Sequence, residues 1–178
     1  MTTDTSFFTN EPGFSLKERF SKLVKDTELF DCLVGYFYSS GFYAVYPSLE
    51  NTDTIRILIG ISTSSDTFRM VEQANVPTQQ DLKFSHSEAK EIIEGAVQRE
   101  MEASEDTRPV EEGVHKFIEW IRSDKLKIKA YPSKNIHAKL YIMTFKEDAI
   151  DKGRVITGSS NFTKSGLEDN LEFNVELK

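Results

Sequence analysis

The run Ile136-His137-Ala138-Lys139-Leu140-Tyr141-Ile142-Met143 constrains this chain more than any other segment. It is apolar and β-prone, and polar residues interrupt it only at His137 and Lys139. Strand side chains alternate, so residues two apart share a face, and one imidazole and one ammonium can reach a single phosphate. Nineteen residues beyond Lys139 begins Gly158-Ser159-Ser160-Asn161, closing the short predicted strand Arg154-Val155-Ile156-Thr157. Glycine permits the turn, while hydroxyls, an amide and backbone N–H groups supply the donors an anionic oxygen requires. The pattern points to phosphodiester chemistry.

These residues resemble the phospholipase D superfamily, whose signature is H-x-K-x4-D followed by G-S-x-N. His137 and Lys139 match the first part, and Gly158, Ser159 and Asn161 the second. Asn170-Leu171-Glu172 is similar to the N-x-E that follows in many members. Thr144 stands where the family has aspartate; tyrosyl-DNA phosphodiesterases keep H-x-K and a downstream asparagine without that aspartate. The resemblance implies a histidine nucleophile at His137 and a second motif's histidine as acid. It also implies Lys139, Ser159 and Asn161 as phosphate holders and no metal or other cofactor. Glu172 is expected to orient an imidazole through Nδ1, or else to be a solvated strand residue. Ser159 also reads as a simple turn cap.

His86 and His115 fall outside the motif, and neither has a carboxylate or cysteine cluster at metal-ligand spacing. Both read as surface residues.

A chain of 178 residues with 38% hydrophobic content supports one domain, 1–178, with a core of its own. One cysteine, Cys32, excludes an internal disulfide and fits a reducing, cytoplasmic setting. The N-terminus lacks a basic and apolar leader, and no apolar run approaches a membrane span. The net charge of -7 hides a segregation. Residues 87–112 carry nine acidic and three basic groups, whereas 115–146 carry eight basic and two acidic. Lys125, Lys127 and Lys129 alternate on a predicted strand in the basic part, either to draw a polyanion towards His137 or as an ordinary solvated face.

Periodicity predicts a helix over Ser15 to Asp26, a buried strand over Phe30 to Phe37 broken by Ser39-Ser40-Gly41, and a short helix over Phe42 to Leu49. A strand over Thr54 to Gly60 follows. Ser85 with Glu88 reads as the capping box of a long helix whose apolar residues run from Ala89 to Met101. Another helix spans Val114 to Arg122, and strands follow over Leu126 to Tyr131, Ile136 to Thr144, Arg154 to Thr157 and Leu171 to Leu177. This order predicts an α/β three-layer sandwich: a mixed sheet with helices on both faces, the half-domain that the resemblance implies.

Two functions remain open. One is a metal-independent phosphodiesterase, a nuclease acting on DNA rather than RNA, working as a homodimer because the chain holds one motif. Phospholipid is disfavoured by the lack of a membrane-binding helix or lipid anchor. The other is a non-catalytic nucleic-acid-binding or dimerisation module of a restriction-type protein or helicase. Gly35-Tyr36-Phe37-Tyr38-Ser39-Ser40-Gly41-Phe42 resembles the N-terminal region of bacterial SNF2-type helicases, which implies an ATPase region beyond Lys178. Thr144 favours the second function; intact His137, Lys139 and Asn161 favour the first.

Overall fold

The computed structural model describes residues 5–35, 37–60, 108–130 and 136–178. Seven strands form one mixed sheet: β1 (Thr5–Thr9), β2 (Thr27–Val34), β3 (Thr54–Ile59), β4 (Leu126–Ala130), β5 (Lys139–Phe145), β6 (Gly153–Gly158) and β7 (Phe173–Leu177). Their order across the sheet is β1-β7-β6-β5-β2-β3-β4. β2, β3 and β4 run parallel, and β2 pairs antiparallel with β5, from which β6, β7 and β1 continue antiparallel. The β2–β5 pairing therefore brings the C-terminal end of β2 beside the N-terminal end of β5. It is there, with Val34 opposite Lys139, that the motif residues emerge.

Three described helices pack together on this sheet: α1 (Leu16–Leu23), α2 (Ser39–Leu49) and α3 (Arg108–Arg122). α1 starts at Ser15 because Ser15 and Glu18 form a reciprocal capping box that satisfies two otherwise orphaned N–H groups. A 3-10 turn, Val24–Asp26, leads from it into β2. On β2, Phe30, Cys32 and Val34 are buried and alternate with half-buried residues; Ile55, Ile57 and Ile59 do the same on β3. Tyr141 and Met143 of β5 lie on the same face, and Phe20 of α1 meets Tyr141 edge-on at 5.1 Å. Phe42 of α2 then meets Phe117 and Trp120 of α3 at 5.0 and 5.4 Å. The aromatic residues thus join sheet and helices into one core.

The β6–β7 part of the sheet is tied to α1 by charge. Glu176 on β7 is 1% exposed and takes Arg19 of α1 at 2.5 and 2.7 Å, with Arg154 of β6 at 3.3 Å. A carboxylate is stable at such depth only when paired in this way.

The mixed sheet and its helical cover agree with the expected α/β fold. Several boundaries differ. Ser39 to Gly41 do not break the chain after β2 but form the first turn of α2. β5 starts at Lys139 rather than Ile136, because β2, its partner, ends at Val34. β1 and a π-helical turn over Ser165–Asp169 were not anticipated. The long helix expected after Ser85, and His86 within it, lie outside the described residues.

Candidate phosphodiester-binding site

The site sits at one end of the sheet, where β2 ends, β5 begins and β6 gives way to a turn. His137 lies just before β5 and is exposed, so the strand's pleat does not itself align it with Lys139. The Lys139 ammonium is folded back and donates to the His137 carbonyl at 3.0 Å, which ties the lysine to the histidine's backbone. The Lys139 carbonyl in turn accepts the Thr157 hydroxyl at 2.9 Å, linking β5 to β6 at the base of the site.

Gly35 makes one of the close approaches in this region. A β-carbon there would press on the Ile136 carbonyl at 2.8 Å and would lie within 4 Å of both the His137 Cα and the Asn161 Oδ1. The absence of a side chain at position 35 makes room for the Ile136 carbonyl, and the His137 segment and the Asn161 amide both lie beside this glycine at the end of β2.

The turn after β6 is fastened from several sides. Gly158 lies against the Phe173 carbonyl and Asn174, and a β-carbon would collide with both. Ser159 donates its hydroxyl to the Glu172 carboxylate and accepts the Phe173 N–H at 3.0 Å. Ser160 is fully buried, its carbonyl taking the Tyr141 hydroxyl at 2.7 Å and its side chain the Asn174 amide at 3.0 Å. Asn161, half-buried, follows at once, and Phe162 beyond it is buried and stacked on Phe37 at 5.4 Å.

His137, Lys139 and Asn161 therefore lie at one end of the sheet. Ser159 and Glu172 join that end through β7. Their hydrogen bond commits the Ser159 proton to a carboxylate, so the Lys139 ammonium and the Asn161 amide are the donors best placed for an anionic oxygen. Among the described residues no hydrogen bond joins Glu172 to His137. Thr144 lies at the other end of β5, exposed.

Lys127 and Lys129 are exposed on β4, but Lys125 precedes the strand and does not share their setting. Its ammonium lies 4.2 Å over the Trp120 ring and donates to the Glu50 carbonyl at 2.6 Å, which corrects the expected three-lysine row. His115 is exposed on α3. Among the described residues no group of three His, Cys, Asp or Glu side chains is placed to hold a metal ion, and no helix is long and apolar enough to cross a membrane. Burial pushes the Cys32 thiol and the Tyr141 phenol well above their usual ranges, so both are neutral in the fold.

Motif reading missed Gly35, Tyr141 and Asn174. Tyr141 was visible as an apolar strand residue two positions from Lys139, but only the fold shows its hydroxyl meeting Ser160.

The chain belongs to the phospholipase D-like family: residues 51–178 match the family described as "Cardiolipin synthase, PLD-like domain". Among solved structures, yeast tyrosyl-DNA phosphodiesterase superposes with a TM-score of 0.52 at 12% identity, over 97% of this chain and 31% of that one. A phosphatidylserine synthase of Haemophilus influenzae Rd KW20 superposes with a TM-score of 0.52 at 16% identity, over 97% of this chain and 34% of that one. This chain thus spans about a third of either protein, and the likeness is one of fold. No curated protein sequence matches it.

Proposed function

We propose that this protein is a metal-independent phosphodiesterase that cuts DNA through a phosphohistidine at His137. The observation that carries the reading is the convergence of the His137 segment and the Asn161 amide over Gly35, with Lys139 bonded to the same segment, in a chain of the phospholipase D-like family. In this scheme a His137 ring nitrogen forms a bond to phosphorus as the P–O bond to the leaving oxygen breaks. Lys139 and Asn161 hold the non-bridging oxygens while charge develops on them. A second imidazole protonates the departing oxygen, then takes a proton from the water that attacks phosphorus and releases the phosphomonoester from His137.

That second imidazole is supplied by His137 of another copy, so the active form is a homodimer with the two histidines across one cleft. DNA is the preferred substrate class in this reading, since Lys127 and Lys129 lie exposed on β4 and suit a polyanion. The buried free thiol of Cys32 suits a reducing cytoplasmic compartment. The resemblance around Gly35 to Phe42 supports a place for this single domain beside an SNF2-type ATPase region. A non-catalytic nucleic-acid-binding role rests on Thr144, which is remote from the site.

The test is cleavage of single- and double-stranded DNA by purified protein in EDTA. Cleavage should persist, His137→Ala should abolish it with the circular dichroism spectrum unchanged, and rapid acid quench should trap phosphohistidine. Absence of EDTA-resistant cleavage, with DNA binding retained, would leave the binding-module role standing instead.

A further inference from the structure

We propose that Tyr141 is a positioning residue: by fixing Ser160, its hydroxyl holds the Asn161 amide in the attitude that phosphate binding requires. The inference rests on the proposed reading of the site and concerns a residue that the H-x-K and G-S-x-N signatures do not include. Tyr141 and Lys139 are two apart on β5, so the strand that presents the lysine also carries the tyrosine. Tyr141 is fully buried and its hydroxyl crosses to β6's following turn, donating to the Ser160 carbonyl at 2.7 Å. Asn174 reaches Ser160 from β7, donating to its hydroxyl at 3.0 Å. Ser160 is therefore tied to two strands at once, one of them the strand that carries Lys139.

Beyond Asn161 the chain is held as firmly. Phe162 is buried and stacked on Phe37, and its carbonyl accepts the Tyr38 N–H at 3.1 Å. Asn161 is thus a half-buried residue between two fully buried and anchored neighbours. A donor held in this way needs no reorganisation when charge builds on a phosphate oxygen, and such preorganised donors lower the barrier most. The Tyr141 ring is not what varies here. It keeps its packing against Phe20, Phe30 and Phe162 when only the hydroxyl is removed.

The experiment compares wild type, Tyr141→Phe, Asn161→Ala and the double variant on bis(p-nitrophenyl) phosphate in EDTA. Losing one hydrogen bond that aligns a donor should lower kcat about five- to tenfold for Tyr141→Phe, with KM within about twofold of wild type. In the Asn161→Ala background the same change should have no further effect, because the residue it positions is gone. A full additional loss in that background, an effect on KM alone, or unchanged kcat would overturn the proposal. If wild type does not turn over, the catalytic reading fails and the clamp is judged by the Asn161 side-chain amide NMR signal on adding inorganic phosphate. That signal should move in wild type and markedly less in Tyr141→Phe; equal movement, or none, overturns it. Should Tyr141→Phe not fold, para-fluorophenylalanine at position 141, which keeps the ring and cannot donate a hydrogen bond to the Ser160 carbonyl, carries the same comparisons.

Discussion

Lys139 and Thr144 stand at opposite ends of β5 and on opposite faces of it, Lys139 across from Val34 and Thr144 across from Leu29. Five strand residues span about 16 Å, several times the reach of a short carboxylate. Thr144 fills the family's aspartate position, yet nothing placed there touches a phosphate held by Lys139.

Thr144→Asp should therefore leave phosphodiester cleavage and DNA affinity within about twofold of wild type, the range of an exposed substitution remote from a site. A gain of tenfold or more on restoring the aspartate would show that position 144 does act on the chemistry.

Glu176 presents a second measurable case. Its buried carboxylate serves Arg19 on both oxygens and lies 3.3 Å from Arg154. Glu176→Ala strips Arg19 of its carboxylate and leaves the largely buried Arg154 with Asp151 alone, and removal of one partner of a buried pair costs up to about 3–5 kcal/mol. Urea unfolding should report that loss. A change below about 1 kcal/mol would place the pair among those whose desolvation cost cancels their attraction.

Sequence reading found the strands that bury one face and the helices with a regular apolar stripe. Phe30, Cys32 and Val34, like Ile55, Ile57 and Ile59, announce themselves by alternation. β1 was not legible, because Phe7 on this edge strand is 65% exposed and leaves no alternating pattern. Ser39-Ser40-Gly41 reads locally as a break, yet the packing of Phe42 on α3 draws those residues into a helical turn. His137, Lys139 and Asn161 were legible as a motif. Their alignment was not, since it depends on Gly35, Tyr141 and Asn174, residues brought near by strand pairing rather than by spacing in the chain.

Alkaline pH should expose the two buried neutral acids. Unfolded thiols and phenols ionise near pH ~8.5 and ~10, whereas burial raises both Cys32 and Tyr141 in the fold. Above each unfolded value the unfolded chain holds fewer protons than the folded one. Stability accordingly falls as pH rises from about 8.5, and more steeply beyond about 10. Cys32→Ala should flatten the first part of that decline and Tyr141→Phe the second, as followed by urea midpoints between pH 7 and 11. Slopes unchanged in both variants would mean that other groups govern alkaline unfolding.

Glu172 and Ser159 act as a unit. The Ser159 hydroxyl donates to the Glu172 carboxylate and accepts the Phe173 N–H, so the serine is the link between that carboxylate and the turn that carries Asn161. Removing either partner should slacken the same turn, and residues that share one interaction have non-additive effects. Ser159→Ala and Glu172→Ala should each lower cleavage about three- to tenfold, the effect of one charge-assisted hydrogen bond. The double variant should lose no more than the worse single one. If instead the two losses multiply, and Glu172→Ala alone shifts the lower limb of the pH–rate profile, Glu172 acts on the His137 imidazole independently of Ser159. In that event the serine is only the cap of its turn.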